Sequence, residues 1–279
     1  LLDSLDAWAG DQAAGLRRLF GGRAPQVIAF ASGRDACGRT TLLVQTSAAL
    51  AAAGHGVVIV DENQTADNTL AAFGVAARHD LLHAVHGDRT LAQVAVAAAP
   101  LIRIVLAARA ARELDHHSAG DGVGRLADCL RELQRGAGFI LIDTATRRGG
   151  HLSPLALAAP HVAVVVAAHS IAITHAYALI KRLAQECGRD GFQIVITRAR
   201  SREEAQGIFD NMRRVAREHL GVRLEFLGDA RVPVNDHIAE ALLSRLPAAA
   251  DDGDGNGFLW PGAATTLAWR GAAALDSVV

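Results

Sequence analysis

The stretch QVIAFASGRDACGRTTLLVQTSAAL, Gln26 to Leu50, decides the fold. Val27 to Ala31 is a short apolar run of strand composition, broken at Ser32-Gly33, and from Thr40 the pattern is apolar and helical through Leu50. A strand, a glycine-bounded loop and a helix in that order form a phosphate cradle, in which loop N–H groups and the helix N-terminus converge on an anion. Gly33 and Gly38, followed by a basic residue and a hydroxyl, fit G-x-x-x-x-G-K-[ST], except that Arg39 stands where the lysine belongs. The cradle set is therefore Gly33, Arg34, Asp35, Ala36, Cys37, Gly38, Arg39, Thr40 and Thr41.

Two of these residues bear on the chemistry. Arg39 keeps a positive charge, but its planar fork is longer and bulkier than an ammonium group in a loop that wraps phosphates closely. Asp35 brings a carboxylate to where phosphate oxygens would sit. Like charges about 4 Å apart repel by roughly 1 kcal/mol in water and about 4 kcal/mol at an effective dielectric near 20. Composition offers a bland account of Arg39, because the chain has a single lysine, Lys181, among 28 basic residues. It offers none for Asp35, and weakened nucleotide handling is the expected result.

The 279 residues, 51% hydrophobic and 20% charged, can bury a sizeable core. A net charge of −1 supplies no field to draw nucleic acid or an anionic membrane. Cys37, Cys129 and Cys187 are scattered and form no metal or redox pattern, which suits a reducing cytosol. No uncharged apolar run reaches the ~18 residues of a membrane span, and the acids in LLDSLDAWAGD do not suit a secretion leader.

Leu5, Trp8, Gln12, Leu16, Leu19 and Phe20 recur at helical spacing, so residues 4–20 are expected to form an amphipathic helix, followed by a Gly21-Gly22 joint. Such a helix either folds back on the domain or offers its stripe to a partner's groove. Beyond the cradle, strands are expected at Val57–Val60, Arg103–Leu106, Phe139–Asp143, His161–Ala167, Phe192–Thr197 and Leu224–Leu227. Helices are expected at Asp80–Ala97, Gly122–Gln134, Ile173–Gln185, Arg202–Leu220 and Asp236–Leu246. This alternation argues for an α/β fold, a single domain over residues 26–247 whose mostly parallel sheet is flanked by helices on both faces. Residues 1–22 would be an N-terminal partner-binding helix and linker, and 248–279 a linker and tail. Asp61-Glu62-Asn63 and Asp143 close two of the strands, on the ligand side of such a sheet. With the Thr40 hydroxyl, Asp61 and Asp143 make a candidate Mg²⁺ set.

At this point the chain resembles the MinD/ParA group of P-loop ATPases, and more narrowly its flagellar-number regulators of the FlhG or FleN type. The resemblance runs from Asp11 to about Pro247, and its most specific element is DQAAGLR, Asp11 to Arg17, similar to the group's DQAxxLR motif. HSIAITHAYALIKRL, His169 to Leu183, is similar to the group's PEPTSxTDAYALIK segment, and LHAVHGDRTL, Leu82 to Leu91, has the same look. The resemblance implies a P-loop NTPase fold of the deviant Walker A class, with ATP and Mg²⁺ as cofactors if the site works. It implies that Asp11, Gln12, Ala13, Leu16 and Arg17 stimulate a signal-recognition-type flagellar GTPase (FlhF-like). A flagellar transcription regulator, a switch-complex protein and a second copy of the chain are further partners it allows, and it places the protein in the cytoplasm, with the periphery of the cell pole as an option.

The departures from the group's pattern fall on the nucleotide site. Where the group reads SGKGGVGK[ST], this chain reads SGRDACGRT, Ser32 to Thr40. Arg34 replaces the signature lysine, Arg39 the P-loop lysine, and Asp35 with Ala36 two glycines. Asp61 keeps the first acid of the D-A-D segment, but Asn63 takes the place of the second, and an amide cannot accept a proton from the attacking water. Thr197 stands where an asparagine usually reads the adenine edge, while Thr40 and the Walker B residue Asp143 are kept. Three readings follow: a regulator acting through protein contacts with hydrolysis weak or lost; an active ATP-dependent dimerising switch; or a partition- or cellulose-type relative, for which the DQAxxLR helix has no explanation.

Other candidates are weaker. His116-His117 reads as a solvated loop, and His83 with His86 lacks a third ligand. Ser32 and Ser170 lack a nucleophile motif, no aromatic-basic interleaving points to nucleic acid, and Gly262 to Val279 is a poor membrane helix with almost no positive charge.

Overall fold

A computed structural model describes residues 25–116, 121–145, 151–230 and 237–245. The proposed partner helix at 4–20 and the tail beyond 247 lie outside them. Eight strands form one sheet in the order β3-β4-β2-β5-β1-β6-β7-β8. They are β1 (Gln26–Ala31), β2 (Val57–Asp61), β3 (Val96–Ala99), β4 (Ile102–Leu106), β5 (Phe139–Asp143), β6 (His161–Ala167), β7 (Gly191–Thr197) and β8 (Arg223–Ala230). Every pairing is parallel except β3 with β4, which is antiparallel at the sheet edge. The α/β class with a mostly parallel sheet is as the alternation of elements predicted.

Alternate residues of the central strands feed two separate cores, as the two-residue period of a strand requires. Val27 and Ala29 of β1 join one, together with Val58, Val60, Ile140 and Ile142. Ile28 and Phe30 join the other with Ile59 and Leu141. The second core is covered by α1 (Arg39–Ala52), through Leu42, Leu43 and Leu50, and by α10 (His237–Arg245), through Ile238 and Leu242. The first is covered by the remaining long helices: α6 (Asp121–Leu133), α8 (Ser170–Cys187) and α9 (Arg202–Leu220). Both faces being covered explains why the strands read as unbroken apolar runs.

Short elements depart from the sequence reading. The single helix expected over Asp80–Ala97 is instead α3 (Leu81–His86), α4 (Leu91–Val94) and strand β3. Gly87, at φ 83°, ends α3 in the left-handed region, and a Thr90–Gln93 capping box starts α4. Three helices were not anticipated: α2 (Thr69–Phe73), α5 (Ala108–His116) and α7 (Pro154–Ala158). His116 therefore ends a helix rather than lying in a loop. Among the described residues no helix is long and apolar enough to cross a membrane.

Candidate functional site

The loop 32–38 follows β1 at its carboxyl end, where β2 and β5 also deliver their last residues. In the register Asp61 of β2 lies beside Asp143 of β5, and Phe30 of β1 lies on Asp143's other side. Topology alone thus brings Arg39, Thr40, Asp61 and Asp143 to one place, at the crevice outside the strand ends. Gly38, at φ 80°, precedes α1 and supplies no side-chain cap to its first turn. Ala36 also has positive φ, 61°, where the MinD/ParA-type loop it resembles has glycine. Asp35 and Ala36 are both exposed at the crest of the loop.

Arg39 is buried and turned onto its neighbours. Its Nε donates to Asp143 Oδ1 at 2.5 Å and its Nη1 to Ser32 Oγ at 3.0 Å. Thr40 Oγ1 donates to the other oxygen, Asp143 Oδ2, at 2.6 Å. Ser32 in turn donates to the carbonyl of Arg34 at 2.8 Å, tying the guanidinium to the loop backbone. Thr197, at the end of β7, donates to the carbonyl of Cys37 at 2.7 Å, so its buried hydroxyl holds the loop. Gly33 lies against α8, where an added Cβ would come within 2.3 Å of the His175 carbonyl.

Asp61 is fully buried, and both its oxygens are engaged. The Asn63 N–H donates to one at 2.7 Å, and the Thr69 N–H and hydroxyl donate to the other at 2.9 and 2.5 Å. Asn63 reaches Thr40 Oγ1 only at 3.5 Å, the limit of hydrogen bonding. Burial, together with the neighbouring Asp143 carboxylate, pushes Asp61 up from an ordinary 3.8 to about 6, against the opposing hydrogen bonds from Thr69 and Asn63. With the folded value above the unfolded one, Asp61 favours the fold fully below pH 3.8, and that contribution is lost as pH rises through about 6. Two units correspond to about 3 kcal/mol. Asp61→Asn is therefore expected to gain stability relative to the parent chain by up to about 3 kcal/mol between acid and neutral pH. Urea titrations of both proteins across that range check it, and parallel pH curves would refute it.

Other polar groups at the site carried no clear sequence signal. Glu62 is buried, accepts the Ser153 hydroxyl, and accepts the Ala145 N–H at 3.4 Å. Ser153 also caps α7 by accepting from the Ala156 N–H. Only the run Asp61-Glu62-Asn63 pointed to Glu62, while Ser153 and Thr69 come from segments read as featureless. His83 and His86 go to different carboxylates, Asp80 at 2.8 Å and Glu113 at 3.0 Å. Among the described residues no cluster suited to a metal is found.

A divalent ion fits this donor set poorly. Both Asp143 oxygens and both Asp61 oxygens already have protein donors, and the third position of the acidic segment is the neutral Asn63. An ion beside Asp143 would also stand next to the Arg39 guanidinium, and each pair of like unit charges about 4 Å apart costs roughly 4 kcal/mol at an effective dielectric near 20.

No family model matches the chain. It is 28% identical over 217 residues to the antiactivator FleN of Pseudomonas aeruginosa, covering 78% of this chain and 76% of that one. It is 22% identical over 205 residues to the flagellum site-determining protein YlxH of Helicobacter pylori, covering 72% and 68%. The MinD cell division protein of Aquifex aeolicus superposes with a TM-score of 0.55 at 17% identity, covering 89% of this chain and 97% of that one. The structural likeness establishes the fold; of the two sequence relatives, one is an antiactivator and the other a flagellum site-determining protein by name.

Proposed function

Because the chain is a member of the MinD/ParA-type P-loop ATPase family, in the FlhG/FleN subfamily, we propose that it regulates flagellar number or placement through protein contacts, with ATP hydrolysis weak or lost. The observation that carries the loss is the ion pair of Arg39 with Asp143. The cation that should meet phosphate and the acid that should serve the reaction neutralise each other. Asn63 adds to this, since an amide cannot take a proton from an attacking water. The loop keeps its shape, so nucleotide phosphates retain a cradle of backbone N–H groups, and bound nucleotide would serve as a structural element rather than a fuel.

In this reading the output lies outside the pocket. Residues 1–22 form the arm that acts on a signal-recognition-type flagellar GTPase, with Asp11, Gln12, Ala13, Leu16 and Arg17 in contact. The domain at 26–247 displays it, and the protein works in the cytoplasm, at the cell periphery near a pole. Capture of that GTPase by the full chain and by a chain lacking residues 1–22 tests this. Loss of at least tenfold in affinity on truncation is expected, and equal capture would refute the arm's role. A steady-state assay with Mg-ATP is expected to show no turnover above that of an Asp143→Ala control. The intact Thr40–Asp143 hydrogen bond favours a second reading, an ATP-driven dimerising switch. Turnover abolished by Asp143→Ala would decide for that switch.

A further inference from the structure

We infer that the Arg39 guanidinium occupies the place of a divalent cation in this loop, so that nucleotide phosphates bind without one and with an affinity that does not respond to Mg²⁺. The inference rests on the reading above that the loop still holds nucleotide phosphates, and it goes further by naming what balances charge at the site.

A metal ion in a phosphate loop lies between the loop hydroxyl and the strand-end acid and cancels that acid's charge. Here a side chain of the protein already does so. Arg39 Nε and Thr40 Oγ1 divide the two oxygens of Asp143 between them at 2.5 and 2.6 Å. Ser32 fixes the guanidinium from a second direction at 3.0 Å, and the Ser32 hydroxyl is itself held by the Arg34 carbonyl. A planar fork held at two edges is a positioned group, unlike the flexible point charge of a lysine. Asp61 offers no replacement ligand, because Asn63 and Thr69 take both its oxygens. The anion-binding part of the loop is independent of this pair. It consists of the backbone of residues 33–38 and the uncapped start of α1, held in shape by Thr197 on the Cys37 carbonyl.

The test uses the full chain and ADP or ATP as probes, titrated by calorimetry up to millimolar nucleotide, once in excess EDTA and once in excess MgCl₂. For the parent protein the two affinities are expected to agree within about twofold. Mn²⁺ added with ADP should show no protein-bound paramagnetic signal. Arg39→Lys replaces the fork by a mobile ammonium and is expected to bring back at least a tenfold preference for nucleotide with Mg²⁺, together with a bound Mn²⁺ signal. Asp143→Asn, a second variant that removes the anionic partner, should bind ADP more tightly than the parent chain in EDTA. Binding by the parent chain that is tenfold tighter with Mg²⁺, or a bound Mn²⁺ signal in that chain, would overturn the inference. So would the absence of nucleotide binding in both buffers. None of these outcomes touches the flagellar reading, which capture of the partner GTPase decides.

Discussion

Arg39→Ala is expected to lower the unfolding free energy by about 3–5 kcal/mol, the usual cost of orphaning one partner of a buried ion pair. Asp143 is 0% exposed and Arg39 8% exposed, so the carboxylate left behind lies away from bulk solvent. The Thr40 hydroxyl would still donate to that carboxylate, and one neutral donor does not balance a buried charge. Removing both charges should cost much less than removing one. The double variant Arg39→Met with Asp143→Leu is expected to recover most of the loss, because an apolar pair of similar volume avoids desolvating two ions. Equilibrium urea denaturation of Arg39→Met, Asp143→Leu and the double variant measures this as a thermodynamic cycle. A single variant within 1 kcal/mol of the parent chain would mean that the pair contributes nothing to the fold.

Gly33→Ala should be comparably damaging for a steric reason. Its new methyl would lie 2.3 Å from both the carbonyl carbon and oxygen of His175 and 2.6 Å from the Ala176 nitrogen. These are backbone atoms of α8, so no side-chain rotamer change relieves the clash; the helix or the loop must move as a unit. Overpacking costs typically about 1–3 kcal/mol, and contact with backbone puts this case at the upper end or beyond. Gly207→Ala is the matched control. That glycine lies within α9 with open space around it, so an alanine should stabilise by about 0.5–1 kcal/mol through helix propensity alone. A drop in the urea midpoint for Gly33→Ala and a rise for Gly207→Ala is the expected pattern. The reverse order would mean that the loop and α8 are not in contact.

The sheet was legible because its strands are buried on both faces and therefore carry long β-branched runs, such as Val162 to Val166, that admit few other readings. Arg202–Leu220 was legible to the residue because Ser201 caps it, Gly221 ends it and its charged face contrasts with Ala205, Phe209 and Met212. The Ala-rich stretch from Leu91 to Ala99 failed for the opposite reason. Alanine fits helix and strand alike, so period carries no information there, and the local signals Gly87 and Thr90 had to outweigh it. At the site, residue types and their convergence could be read from the strand ends. The direction of Arg39 could not, because a guanidinium can turn toward ligand or toward protein, and only the strand register that sets Asp143 beside the loop decides which. Thr197 shows the same limit: the resemblance pointed to contact with a base, while nothing in the sequence pointed to the bond its hydroxyl donates to the Cys37 carbonyl.

Ala36 adopts φ 61° on an exposed crest, a conformation that costs an L-residue roughly 1–2 kcal/mol. Alanine does not choose that shape; the flanking anchors, Ser32 on the Arg34 carbonyl before it and Thr197 on the Cys37 carbonyl after it, impose it. The curve at this turn is thus a cast taken from the surrounding architecture rather than a preference of the residue that occupies it. A turn built this way tolerates substitution at its crest without losing the outline that a docking molecule would meet.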